Sequence, residues 1–417
     1  MNRRDRHVLV LTEYYYPDEA AASGRVMTEM AEDLAAAGWS VDVVCSYPNY
    51  LGAVRVPSRE VRDGVYIRRL SHGRFDRDKG AGRLANWLWF GLQCIVLFPA
   101  WYGRYQWVVA VTNPALMPHV AAAFHRLDRR TRLLLNLHDI FPDNACAVGR
   151  LDRASSSTRI FQGLNRWAFS CADCVVALGP VMRDYVDQKY GVAHDRLVVV
   201  PPWQDAPLRS TAMREETRAQ YGWAPDDFVM LYAGNAGVIQ GVALLQECIV
   251  ATLESDERVR FCFSGSGLMF NDLVGDLANQ FPAQVQALLF LPSDQYEALV
   301  QAVDCGVVSM NMNTAGLVFP SKTIAYLARG LPIVALVPRI SDVAATIDAA
   351  KCGAVVQTPE AFAAATRELT ADVETRARYG KNAVSAFVSD YSRPVCMGRI
   401  MQLLSQSRET SRELVRH

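Results

Sequence analysis

Short, wholly apolar runs alternate along this chain with longer stretches in which apolar residues return every three or four positions. The first pattern is that of strands buried on both faces, the second that of amphipathic helices laid against them. Strands are predicted at 7–11, 41–45, 65–70, 107–111, 133–137, 174–178 and 197–200. Helical patterns lie between them at 23–37, 117–127, 161–170 and from 181 onward. Pro201-Pro202 then opens a polar, weakly patterned stretch that reads as a linker as far as Asp227. The alternation restarts with strands at 228–232, 259–263, 285–290, 305–310, 332–336 and 354–356, and helical patterns fill 359–405. The expected fold is α/β, with two Rossmann-like, doubly wound halves. Their bounds are placed at 1–204 and 205–390, with 391–417 as a terminal helix crossing back to the first half. In such sheets ligands sit beyond the carboxyl ends of the strands, so the loops after strands are where chemistry is sought.

Composition narrows the class. A chain of 417 residues exceeds one ordinary core, and 51% hydrophobic with 21% charged residues describes a globular enzyme. Lys plus Arg and Asp plus Glu number 43 each, which argues against a nucleic-acid binder. The ten cysteines stand among apolar neighbours, as buried thiols of a reducing compartment do. Cys171 and Cys174 form a C-x2-C with no second pair at zinc spacing, and are read as two thiols at a helix–strand junction. No leader pattern precedes the first strand, so a cytoplasmic location is expected.

Residues 84–102 change that picture in one respect. The segment is uncharged, flanked by Arg83 and Arg104, and carries aromatics at both ends. A span here would set adjacent strands of one sheet on opposite sides of a membrane. A helix packed on the sheet is therefore expected, with a helix lying on the inner membrane face as the second reading. The preceding 73–83 holds four basic residues against two acidic ones, a balance suited to anionic lipid or a phosphorylated acceptor. Asp76-Arg-Asp78 within it matches D-x-D superficially and is read as solvated.

The candidate chemistry begins with Leu231-Tyr-Ala-Gly-Asn-Ala-Gly-Val-Ile-Gln-Gly241, a strand that breaks into a glycine loop before a helical pattern near Val238. Such a loop lays backbone N–H groups and a helix N-terminus against phosphate oxygens. Gly234, Asn235, Ala236, Gly237 and Gln240 are the candidates, yet the loop has no Lys or Arg. Lys322, in the first turn of a helix that Ser321 can cap, is a cation placed where only an anion partner offsets the cost. Gly265 and Gly267 form a second close-approach turn, and Leu291 follows the next strand where its backbone can meet a base. No G-x-G-x-x-G follows the first strand, which argues against a nicotinamide enzyme.

In the first half, Ser23 can cap a helix, Gly24 can admit a ligand, and Arg25 in the first turn calls for an anion or a surface salt bridge. Tyr47 and Asn49 suit a polyhydroxylated ligand, although a Pro-Asn turn explains them equally well. His138, Asp139 and Asp143 leave a strand end, placed for acid–base work or for orienting hydroxyls. No second histidine or cysteine completes a zinc set there.

Taken together, Tyr16-Pro17 with Arg25, Tyr47-Pro-Asn-Tyr50, His138-Asp-Ile-Phe-Pro142, the 231–241 loop, and Pro320-Ser-Lys322 through Ala335 resemble the retaining, GT-B-fold glycosyltransferases of family four. The likeness is to bacterial enzymes that build O-antigens, capsules and exopolysaccharides. It implies two domains facing across a cleft, with a nucleotide-sugar donor, UDP-linked by expectation, on the C-terminal half. A glycan or polyprenyl-linked acceptor is implied on the N-terminal half, touched by Tyr16, Gly24, Tyr47 and Asn49. It further implies transfer with retained configuration and no metal or other cofactor, the leaving phosphate taking the acceptor's proton. His138, Asp139 and Lys322 then become the catalytic set, with Arg25 reaching the diphosphate, and Asp139 holding the histidine or an acceptor hydroxyl. Two features depart from the family. Asn235 and Gln240 stand where its diphosphate loop commonly has Arg and Lys, and Leu317 and Ala325 where its Glu-x7-Glu pair falls. A nucleotide-sugar 2-epimerase, a sugar phosphorylase and an inactive scaffold on a membrane-bound assembly remain as alternatives.

Overall fold

The computed structural model describes residues 6–18, 22–48, 55–73, 75, 80–205, 211–267, 269–288 and 291–406. The chain divides into two compact units, residues 1–201 with 396–417, and residues 202–395. In the first, β1 (His7–Leu11), α1 (Ala22–Ala36), β2 (Ser40–Ser46), β3 (Arg59–Arg62) and β4 (Val65–Leu70) lead into α2 (Gly80–Val96) and the short α3 (Phe98–Trp101). Then come β5 (Trp107–Val111), α4 (Met117–Leu127), β6 (Arg132–Asn136), α5 (Asp143–Ala147), α6 (Ser156–Cys171), β7 (Cys174–Ala177), α7 (Pro180–Tyr190) and β8 (Leu197–Val199). The sheet runs β3-β4-β2-β1-β5-β6-β7-β8, parallel except for β3. Every residue of β5 and β6 is buried, as strands covered on both faces must be.

The second unit holds α8 (Thr211–Gln220), β9 (Phe228–Asn235), α9 (Val242–Leu253), β10 (Val259–Ser266), α10 (Phe270–Gln280), β11 (Val285–Leu288) and α11 (Ser293–Ala302). There follow β12 (Cys305–Ser309), α12 (Lys322–Ala328), β13 (Ile333–Leu336), α13 (Asp342–Ala350), β14 (Gly353–Val356), α14 (Pro359–Ala371) and α15 (Val373–Ala386). Its sheet, β11-β10-β9-β12-β13-β14, is parallel throughout. The last helix, α16 (Arg393–Ser405), packs on the first unit, where the Trp107 indole N–H donates to Leu404 O at 2.8 Å.

Two elements differ from the sequence reading. The stretch expected as a linker contains α8, and its docking is by charge rather than by an apolar stripe. Arg214 and Arg218 reach the carbonyls of Gln301, Ala302 and Val303 at the end of α11, and both pair with Asp304. Cations at a helix C-terminus satisfy its orphan carbonyls, which leaves no hydrophobic periodicity to read. The second is β3, a polar edge strand (Arg-Glu-Val-Arg) folded back on β4 through Asp63 and Gly64, both at positive φ. That is the backbone a tight Asp-Gly hairpin requires.

Candidate functional site

The glycine loop begins where β9 ends. Gly234 has φ +107°, a conformation that favours glycine, and a Cβ there would lie 3.7 Å from Lys322 Cε and 3.9 Å from its Nζ. Lys322 opens α12, a helix tied to β9 by Tyr326. The Tyr326 hydroxyl donates to Leu231 O at 3.0 Å and accepts from Ala233 N–H at 3.1 Å. Gly306 on β12 makes room for that ring, since a Cβ would meet Tyr326 Cδ2 at 2.3 Å.

The Lys322 ammonium thus lands 3.4 Å over the centroid of the Tyr232 ring, sealed from solvent and without a hydrogen-bond partner. Burial pulls its pKa down to about 7. An unpaired buried ammonium is costly, and the face of one tyrosine offsets only about 1–2 kcal/mol of that cost. The arrangement asks for an anion. Tyr232 stands within the 231–241 stretch that the sequence singles out, but nothing in that stretch assigns its ring to the ammonium.

Several expected details of this loop are corrected. The helical pattern expected near Val238 is split in two. A single 3₁₀ turn spans Val238–Gln240, and Gly241 at φ +65° breaks the path before α9 begins. A side chain at Gly241 would strike Met310 O at 2.8 Å, so the left-handed break is built into the packing. Ala236 is not an available donor, because its N–H bonds to Ser266 O at 2.9 Å. Gln240 N–H likewise turns back to Gly237 O, and Gly237 is extended.

Gly265 and Gly267 have a packing role of their own. Cβ atoms there would lie 2.1 Å from Gly234 O and 2.1 Å from Asn235 Oδ1, so these glycines let β10 and its loop press on the first loop. Ser321 makes no side-chain cap bond, since its own backbone is already helical. Leu291 begins the loop before α11, half-buried.

In the first unit the residues after β6 form a second focus. Thr112, after β5, accepts the N–H groups of His138 and Asp139 at 2.9 and 3.2 Å, so one hydroxyl shapes the turn. His138 Nε2 is sealed and unpartnered, and burial drives its pKa down to about 4, which keeps the imidazole neutral at physiological pH. Asp139 is pushed up to about 6 by burial, against a hydrogen bond from Thr112 and the charge of Arg83. Of the two roles expected for Asp139, the bond to the histidine is not formed, since its carboxylate meets Thr112 instead, and the bond to an acceptor hydroxyl stays an expectation. Asp139 also lines a small cavity with Phe141 and Asn165. Asp143, the second carboxylate off this strand, is structural: it accepts from Gln162 and the Tyr190 hydroxyl, with Lys189 Nζ at 3.9 Å.

The β1 loop is largely absorbed by packing. Arg25 forms an i,i+4 ion pair with Glu29 at 2.9 Å. Ser23 lies inside α1 rather than capping it. At Gly24 a Cβ would sit 2.4 Å from Asp18 O, so the chain packs closely on that side of the glycine. Tyr16 takes the Arg62 guanidinium over its ring at 3.8 Å, and its carbonyl accepts from Arg69 at 3.0 Å. Tyr47 is half-buried with its N–H on Leu70 O. Asn49, Tyr50 and Asp76-Arg-Asp78 lie outside the described residues. Among the described residues no group of three or more His, Cys, Asp or Glu could hold a metal, and no helix is long and apolar enough to cross a membrane.

Both halves of the chain match known family models. Residues 22–203 match the model of the glycosyl transferase 4-like domain, and residues 213–385 that of glycosyl transferases group 1. A probable glycosyltransferase, WbjE, of Pseudomonas aeruginosa is 25% identical over 58% of this chain and 60% of its own length. The D-inositol 3-phosphate glycosyltransferase of Nocardia farcinica is 30% identical over 35% of this chain and 33% of its own. The chain thus spans less than two-thirds of the length of these curated relatives. Among solved structures, WaaG, a glycosyltransferase involved in lipopolysaccharide biosynthesis, superposes with TM-score 0.69 at 16% identity, covering 96% of this chain and 100% of that one. HepE of Anabaena, in complex with UDP-glucose, gives 0.68 at 17% identity over 96% and 99%. The two domain models lie in order along the chain, on a GT-B fold of two parallel-sheet α/β units, and the chain belongs to the GT-B glycosyltransferases of the family-four type.

Proposed function

We propose that this enzyme transfers a sugar from a UDP-linked donor, with retained anomeric configuration, to a glycan or lipid-linked acceptor during cell-surface polysaccharide synthesis. The second unit takes the donor and the first the acceptor. The carrying observation is the Lys322 ammonium, sealed beside Gly234 with no anion partner among the described residues. As the diphosphate leaves, negative charge grows on its oxygens, and a fixed cation in a dry site stabilises that charge without reorganising. Asn235, Gly237 and Gln240 follow Gly234 in the same loop and are assigned to the diphosphate with it. Neutral His138 serves as a hydrogen-bonding dipole beside the reacting carbon rather than as a charged acid. No cofactor or metal enters this reading, so activity is expected to survive a chelator.

The complex of HepE with UDP-glucose supports the uridine donor, and the exposed apolar row of α2 supports work at the inner face of the cytoplasmic membrane. The test is a thermal-shift series of UDP, ADP and GDP on the intact chain and on Lys322→Ala. UDP is expected to raise the melting temperature most, and only when Lys322 is present. Equal shifts in both proteins would remove the basis of the assignment.

A further inference from the structure

We propose that Tyr232 is a positioning residue with two separable tasks: its ring face holds the Lys322 ammonium, and its hydroxyl holds the loop that follows Gly234. This deepens the donor reading above and rests on it for the identity of the anion.

The two contacts leave one side chain in different directions. Lys322 Nζ stands over the ring, 3.4 Å from its centroid. The hydroxyl lies in the ring plane and donates to Asn235 O at 2.8 Å. An ammonium is drawn to the negative face of the ring, and phenylalanine offers the same kind of face without the hydroxyl. Chemistry can therefore remove either contact and keep the other.

The ring is set where it cannot turn away. Tyr232 is fully buried near the end of β9, in the core with Phe228 and Met230, and Phe263 packs against it at 6.0 Å between centroids. Burial also pushes the phenol up, so the hydroxyl keeps its proton and stays a donor.

What the hydroxyl holds is one peptide of the loop. Its carbonyl, Asn235 O, is taken by Tyr232, and its N–H, that of Ala236, donates to Ser266 O at 2.9 Å. A planar peptide tied at both ends has lost its rotation, and it sets the direction in which the chain leaves for Gly237. One residue earlier, a Cβ on Gly234 would lie 3.9 Å from Lys322 Nζ. The same tyrosine thus fixes the cation and the backbone beside it. Because Nζ already stands next to the loop, an anion bound there meets it without its leaving the ring.

The electrostatics keep the two tasks apart. Burial pulls the Lys322 pKa down to about 7, and no charged group acts on the amine. The titratable groups packed round this end of the sheet are Tyr232 from β9, Tyr326 from α12 and Cys305 from β12, each held neutral by burial. The ring face favours only the charged amine, so its loss lowers the midpoint further, whereas loss of the hydroxyl leaves it in place.

The test uses the full chain, first without ligand. The Lys322 amine is titrated by NMR of isotope-labelled lysine, its signal assigned by its disappearance in Lys322→Met. Tyr232→Leu is expected to lower the midpoint by about one pH unit, and Tyr232→Phe to leave it unmoved. Tyr232→Phe is expected instead to speed hydrogen exchange of the Ala236 amide about tenfold. UDP affinity is then followed by calorimetry. Tyr232→Phe should bind about fivefold more weakly than the native chain at every pH. Tyr232→Leu should match Tyr232→Phe at about pH 5 and fall about tenfold below it by about pH 8, because less of its lysine is charged.

An unmoved midpoint in Tyr232→Leu overturns the task given to the ring, and unchanged exchange at Ala236 in Tyr232→Phe overturns that given to the hydroxyl. Tighter binding by Tyr232→Leu than by Tyr232→Phe at low pH also overturns the proposal, since the ring then competes with the anion for the ammonium. If UDP binds no form of the chain, the donor reading fails, while the titration and exchange of the free protein still decide both tasks. Tyr232→Met takes the place of Tyr232→Leu if the latter shows no cooperative melting.

Discussion

Arg25 and Lys322 look alike in the sequence, each a cation in the first turn of a helix after a strand-end loop. The structure separates them. Arg25 lies across its own helix to Glu29. Lys322 is pinned over Tyr232 by a helix that Tyr326 bolts to β9, and among the described residues no acidic side chain pairs with it. A cation with a protein partner has settled its electrostatic cost within the fold. One without a partner leaves that cost for a ligand to offset, and it marks the site better than any motif around it.

Substitutions can break that contrast, and the largest effect is expected at Lys322. Lys322→Ala should lower kcat/KM by about a hundred- to a thousandfold, as loss of one fixed donor to a developing charge does, in a steady-state transfer assay. If the loss is less than tenfold, the two cations are equivalent after all. His138→Ala comes next, with kcat down by about a hundredfold and KM little moved, since its neutral imidazole is assigned to the reacting carbon.

A pH series sharpens the same point. With the free Lys322 pKa at about 7, binding a diphosphate must draw a proton onto the amine once the pH exceeds that value. UDP affinity measured by calorimetry should therefore fall as pH rises above 7, by up to about tenfold per unit, with proton uptake seen as buffer-dependent heat. Lys322→Met should be flat over that range.

Stability should move the opposite way. A lysine whose folded pKa is depressed destabilises the unliganded fold most below pH 7, and the penalty fades as pH climbs toward the unfolded value near 10.5. Lys322→Met should consequently raise the melting temperature of the free protein at pH 6 while removing the shift given by UDP. The smallest effect is expected for Arg25→Ala, which breaks a part-buried helical ion pair. It should cost about 0.5 kcal/mol in denaturant unfolding and leave UDP binding within about twofold.

Much of this fold was legible because burial on both faces writes itself locally. Trp107–Val111 and Met117–Leu127 appear in the structure with the bounds the pattern assigned. What escaped was held by other forces. Helix α8 docks through two arginines on carbonyls, and β3 is a polar edge closed by an Asp-Gly turn. In the candidate site, Gly234 and Lys322 were readable as a loop and a misplaced cation. Gly24, Gly265 and Gly267 were not readable as packing glycines, because what a missing Cβ makes room for depends on a neighbouring strand or loop.

The sequence alone determined that this chain makes two parallel α/β halves, the second with a glycine loop after its first strand. Hydrophobic periodicity and glycine spacing act over a few residues and need no distant partner. Only tertiary structure decided which cation stays unpaired. Glu29 sits four residues from Arg25 and its pairing is set by helix geometry, whereas the isolation of Lys322 is set by a tyrosine ninety positions earlier and by the fit of Tyr326 against Gly306.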